Sequence, residues 1–149
     1  MIGEKIMSDI ILVSGGFDPI HSGHIKLINE AYKYGDVVVL LNSDQWLRNK
    51  KGKEFLPFDE RKIIMKNIKG VKEVIEFDDS DKTCIDGIQK AKSLYKNNKI
   101  KFANGGDRKN DTTPEKKFCD SNNIETLFGI GGDDKSNSSS WILNKWNEK

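Results

Sequence analysis

Two cysteines, three prolines and two histidines are all that 149 residues contain of these types. Cys84 and Cys119 are far apart and form no CxxC pair, which excludes a disulfide framework. Two unpaired thiols suit a reducing cytosol and are expected to be buried and inert, so a cytoplasmic location is expected. Proline, glycine and serine are nowhere dense enough to mark an interior linker. One domain over residues 9–149 is therefore expected, after a short tail at 1–8. The longest apolar runs, at 10–13 and 37–41, fall far short of the roughly 20 residues that cross a bilayer. Residues 1–7 lack the apolar stretch of a signal peptide. Lys+Arg is 25 against Asp+Glu 23. A net charge of +2 is too small for a non-specific nucleic-acid binder. Neither a membrane nor a nucleic acid is expected as a partner.

What the chain does contain is alternation. Continuous apolar or β-branched runs at 9–14, 37–41, 71–77, 100–103 and 124–128 read as strands. Helical spacing follows at 25–34, from Pro57 to Gly70, at 81–95 and at 114–121, and again in a terminal helix with Trp141, Ile142 and Trp146. Segment 42–55 is polar and basic with no clear period. Strands that are apolar throughout, each followed by a helix, indicate a parallel sheet covered on both faces. The expected fold is α/β, a Rossmann-like doubly wound five-stranded parallel sheet. Ligands of such sheets sit beyond the C-terminal strand ends. The glycine- and Asp-containing segments Gly15-Gly16-Phe17-Asp18, Asn42-Ser43-Asp44, Asn104-Gly105-Gly106-Asp107 and Gly131-Gly132-Asp133-Asp134 all follow strands.

Both histidines lie in His21-Ser22-Gly23-His24, where the first helix begins. A helix start offers free N–H groups and partial positive charge, which favour phosphate. Gly23 removes a side chain where backbone and ligand would approach. Two imidazoles three residues apart can face one cluster of phosphate oxygens. No third His or Cys is nearby, so a zinc site is not expected.

The run Gly15 to His24 resembles the signature of the cytidylyltransferase-like nucleotidyltransferases. The resemblance continues through Asn42-Ser43-Asp44, Lys51-Gly52, Arg61, Val71-Lys72-Glu73-Val74 and Gly105-Gly106-Asp107. Asn42-Ser43-Asp44, Lys51-Gly52 and Gly105-Gly106-Asp107 resemble the heptose-phosphate adenylyltransferase branch more than the glycerol-3-phosphate cytidylyltransferase branch. The family's closing Ser-Thr-Thr run is replaced by Ser138-Ser139-Ser140, with Lys135 upstream.

The resemblance implies transfer of a nucleoside monophosphate from a triphosphate to a phosphorylated sugar or polyol, with pyrophosphate released. ATP is favoured over CTP, and Mg²⁺ accompanies the triphosphate rather than occupying a protein cage. It implies catalytic roles for His21, His24, Lys51 and Arg61. Nucleotide contacts fall on Gly15, Gly16, Phe17, Asp18, Gly23, Gly105, Asp107, Lys135, Ser138, Ser139 and Ser140, and acceptor contacts on Asn42, Asp44 and Lys50. A CTP-dependent enzyme for a polyol phosphate is the alternative in the same class, and a non-catalytic nucleotide-binding module the alternative in another. Trp141 and Trp146 are expected to serve packing rather than base stacking. A homodimer is also implied.

Overall fold

A computed structural model describes residues 7–104, 113–131 and 139–148. Five described strands form one sheet: β1 (Ile10–Gly15), β2 (Asp36–Leu41), β3 (Val71–Glu76), β4 (Ile100–Asn104) and β5 (Glu125–Phe128). Their order is β3-β2-β1-β4-β5, and every pairing is parallel. The helices are α1 (Ser22–Tyr32), α2 (Asp44–Lys51), α3 (Phe58–Lys66), α4 (Ile85–Leu94), α5 (Pro114–Ser121) and α6 (Ser139–Asn147). The chain winds outward from β1 to β3, then returns to the other side of β1. The strand order therefore reverses between β1 and β4, and the crevice of a Rossmann-like sheet opens beyond their C-terminal ends.

Strand alternation sorts the apolar side chains into two layers. Ile10, Leu12, Val38 and Leu40 pack with Ile88 and Ala91 of α4 and Cys119 of α5. Ile11, Val13, Val37, Val39 and Leu41 pack with Ile28 and Ala31 of α1 and Met65 of α3. The central strands are apolar on both faces because helices cover both. Cys84 and Cys119 are free and buried. Burial pushes their thiols up to about 12 and about 11, so both remain protonated and inert. Among the described residues no helix is long and apolar enough to cross a membrane.

Three expectations are corrected. Segment 42–55 is not aperiodic loop: residues Asp44–Lys51 form α2. The Ser43 hydroxyl accepts from the Trp46 N–H at 3.0 Å, Asp44 lies in the first turn, three basic residues lie in the last, and Gly52 ends the helix. Only Leu47 is buried, so there is no apolar stripe to betray a period. The helix expected from 81 begins instead at Ile85. Asp81 accepts from both the N–H and the hydroxyl of Thr83 at 2.9 Å, a local turn that competes with helix. Trp141 and Trp146 do not lie in the core: they are 56% and 79% exposed, and α6 buries no residue. The 1–8 tail falls largely outside the described residues.

Gly35 permits the turn from α1 into β2. A Cβ there would lie 2.2 Å from the Asp9 carbonyl oxygen, the same oxygen that accepts from the Asp36 N–H at 2.9 Å. Backbone, not a flexible side chain, occupies the space. Gly35→Ala should cost about 2–4 kcal/mol, whereas Gly52→Ala, with open space around it at φ +96°, should cost about 1–2 kcal/mol. Urea denaturation of the two variants checks the contrast, and equal losses would refute it.

Candidate active site at the start of the first helix

The loop after β1 turns through Phe17, whose φ of +49° is unusual for a large side chain. Such a conformation costs of order 1–3 kcal/mol and needs support from its surroundings. Burial of the Phe17 ring in the β-sheet layer supplies it. The ring also meets the His24 ring in a T-shaped arrangement, with centroids 4.8 Å apart. The Asp18–Pro19 bond is cis, and α1 starts three residues later.

His21 caps α1. Its Nδ1 accepts from the Gly23 N–H at 3.0 Å, and its own N–H donates to the Nδ1 of His24 at 3.2 Å. This is a capping box in which two imidazoles take the places usually held by Ser and Glu. Each Nδ1 accepts from backbone, so each neutral ring carries its proton on Nε2. The rings stack with centroids 3.8 Å apart. Nε2 lies across the ring from Nδ1, so two adjacent N–H donors face away from the cap. Burial lowers the pKa of His21. Burial, then the His21 and Lys50 charges, lower His24 to about 4. Protonation would also claim the Nδ1 lone pair that holds the cap. At neutral pH the pair is therefore two neutral donors.

Beneath this loop lies a polar clamp. Arg61, 1% exposed, donates to the carbonyls of Leu56 (2.9 Å), Gly16 (3.0 Å) and Asn42 (2.8 Å) and to Oδ1 of Asp44 (2.6 Å). Four of its five N–H groups are engaged within the chain. Asp18, 2% exposed, accepts from the N–H groups of Phe55 (2.6 Å) and Leu56 (2.7 Å). Lys51 Nζ donates to the Asp18 carbonyl and lies 3.1 Å from its carboxylate. Asp79 accepts from Asn42 Nδ2 at 3.0 Å, the Ser43 N–H at 2.8 Å and the Ser43 hydroxyl at 2.7 Å.

His21, His24, Gly23 and the Gly15–Asp18 loop come together at one end of the sheet. Arg61, Lys51, Asn42 and Asp44, expected to meet substrate, are hydrogen-bonded to protein groups and fix the loop from below. Lys50 differs: its Nζ sits 4.8 Å from the Trp46 ring centroid, and its charge acts on His24. The Ser139 hydroxyl donates to the Pro19 carbonyl at 2.8 Å, which joins the start of α6 to the same loop. Ser140 lines a cavity of about 220 Å³ with Lys51, Lys53 and Phe55. Gly105, Asp107, Lys135 and Ser138 lie outside the described residues, as do Gly106 and Gly132 to Asp134. Sequence reasoning missed Asp79 and Trp46. Asp79 carried one usable signal, its position just beyond the end of β3.

Together, the sheet reversal, the helix start and the paired neutral imidazoles define a class: a doubly wound α/β fold with a histidine-capped helix after its first strand. Residues 12–134 match the family described as Cytidylyltransferase-like, and the chain belongs to that family. Over 78 residues it is 37% identical to the "Bifunctional protein HldE" of Psychromonas ingrahamii, covering 50% of this chain and 16% of that protein. Over 66 residues it is 38% identical to the glycerol-3-phosphate cytidylyltransferase of Bacillus subtilis, covering 44% and 51%. The match to these curated relatives thus spans at most about half of their length. The fold also resembles the lipopolysaccharide core biosynthesis protein of Thermoplasma volcanium, with a TM-score of 0.61 at 23% identity, covering 81% of this chain and 93% of that one.

The lowered pKa of His24 fixes the sign of a pH effect. The unfolded residue takes a proton near 6.5, the folded one only near 4. Between those values the unfolded state binds more protons, so stability rises with pH. Acidification from pH 7 to 5 should therefore lower the stability of the wild type more than that of His24→Gln, with no difference in slope above pH 7.5. Chemical denaturation across that range checks this, and parallel slopes for the two proteins would contradict it.

Proposed function

We propose that the chain is a nucleotidyltransferase that joins a nucleoside monophosphate from a triphosphate, ATP in preference to CTP, to a phosphorylated sugar or polyol. The observation that carries the reading is the stacked pair His21 and His24, with both Nδ1 atoms held by backbone and both Nε2–H groups available at a helix start. Family membership supports the reaction class. The lean to ATP rests on the likeness of Asn42-Ser43-Asp44 and Lys51-Gly52 to the heptose-phosphate branch. The 38% identity to a glycerol-3-phosphate cytidylyltransferase favours CTP as the second reading.

An acceptor phosphate has its second pKa near 6, so it attacks without a general base. An acceptor oxygen bonds to the α-phosphorus, the bond from that phosphorus to the bridging β-oxygen breaks, and pyrophosphate leaves with the electron pair. The chain's work is then positioning and charge stabilisation. The two Nε2–H donors hold the triphosphate oxygens at the positive end of the α1 dipole, and Lys50 supplies positive charge. The carboxylates of Asp18, Asp44 and Asp79 are engaged with internal donors, and no three His, Cys, Asp or Glu side chains converge among the described residues. Mg²⁺ would accompany the triphosphate as part of the substrate. A cytoplasmic homodimer completes the proposal.

Pyrophosphate release with each of four triphosphates, against a panel of sugar and polyol phosphates, tests it. One pair should turn over, chelator should abolish turnover and Mg²⁺ should restore it. His21→Ala and His24→Ala should each lower turnover by roughly 10²–10³ while the protein stays folded. Nucleotide binding without pyrophosphate release from any pair would point to a non-catalytic module. Near-normal turnover of both variants would sink the mechanism.

A further inference from the structure

The neutral histidine pair offers donors but no charge, and a triphosphate needs cations. Of the four basic residues between 48 and 53, Arg48 chelates Glu54 through Nε and Nη2 at 2.9 and 3.0 Å. Lys51 is held by the carboxylate and carbonyl of Asp18. Lys53 lines the cavity beside α6. Lys50 has no carboxylate partner among the described residues, and its charge is felt at His24.

What holds Lys50 is an aromatic face. Trp46 and Lys50 are four residues apart on α2 and so share one side of the helix. The Lys50 ammonium lies 4.8 Å from the indole centroid, within the range of a cation–π contact. The indole is itself lodged against the loop after β1: its Cζ3 lies 3.3 Å from where a Cβ on Gly16 would stand. The Ser43 cap fixes the Trp46 backbone. A continuous contact path therefore runs from the loop through the indole to the ammonium. We propose that Trp46 is a positioning residue, whose indole, packed against the loop after β1, seats the Lys50 ammonium on that side of α2, and that Lys50 rather than Lys51 is the cation that meets the triphosphate. This rests on the nucleotidyl-transfer reading for its ligand, but not for its geometry.

Two readouts test it on the full chain. The first is the His24 titration, followed by NMR without any ligand. The second is calorimetric binding of inorganic tripolyphosphate with Mg²⁺. Lys50→Met should raise the His24 pKa and weaken tripolyphosphate about tenfold, as loss of a charge-assisted contact does. Trp46→Met, which refills the space without a ring, should do the same. Trp46→Phe, which keeps an aromatic face, should stay within about twofold of wild type. The double variant Trp46→Met/Lys50→Met should be no weaker than Lys50→Met alone, because the two residues act as one unit. Multiplying effects in the double variant, an unchanged His24 titration in Lys50→Met, or equal damage from Trp46→Phe and Trp46→Met would each overturn the proposal. Failure of the wild type to bind tripolyphosphate would overturn its phosphate half. The titration needs no turnover, so absence of pyrophosphate release with the coupling intact would count against the proposed reaction and not against the role of Trp46.

Discussion

A single buried guanidinium carries the geometry of this site. Arg61 of α3 reaches the carbonyl of Gly16 after β1, that of Asn42 after β2, that of Leu56 before its own helix, and the carboxylate of Asp44 at the start of α2. Each of these groups is a backbone or side-chain acceptor at a place where the chain turns away from the sheet. A buried guanidinium is tolerable only when its donors are satisfied, and removing one partner of such a pair costs about 3–5 kcal/mol. The arrangement is therefore mutually dependent: the turns satisfy the cation, and the cation fixes the turns relative to one another. Asp18 repeats the device with opposite sign, drawing the Phe55 and Leu56 N–H groups and Lys51 onto the same loop.

With its floor fixed, the loop can hold a strained Phe17 and present two imidazoles in register. Using both Nδ1 atoms to cap α1 has a chemical consequence. It fixes the tautomer, directs Nε2–H away from the backbone and keeps the rings neutral. A neutral donor pair stabilises phosphate oxygens without the proton bookkeeping of a general acid. On the proposed reading the charge must then come from elsewhere, and Lys50, which has no carboxylate partner among the described residues, supplies it.

The sheet was legible because strands buried on both faces are apolar at every position, as in Ile10 to Val13 and Val37 to Leu41. The histidine pair was legible because the chain has no other histidines and because it stands directly after a strand and a glycine turn. Helix α2 was not, since one buried residue, Leu47, makes no periodic pattern; its cap signals Ser43 and Gly52 were present. The internal contacts of Arg61, Lys51, Asn42 and Asp44 were not legible either. Their side chains meet groups 17 to 45 residues away, and a charge bound for a buried acceptor looks the same in sequence as one bound for a ligand. The exposure of Trp141 and Trp146 was hidden for the opposite reason: an aromatic residue on a helix reads as core unless the neighbouring surface is known.

The account depends most directly on the protonation state of two rings. Heteronuclear NMR of the imidazole nitrogens of His21 and His24 at pH 7 measures it. The predicted result is two neutral rings, each with its proton on Nε2 and with an Nδ1 that accepts a hydrogen bond. A proton on Nδ1 of either ring, or an imidazolium at that pH, would contradict both the capping geometry and the neutral-donor mechanism built on it.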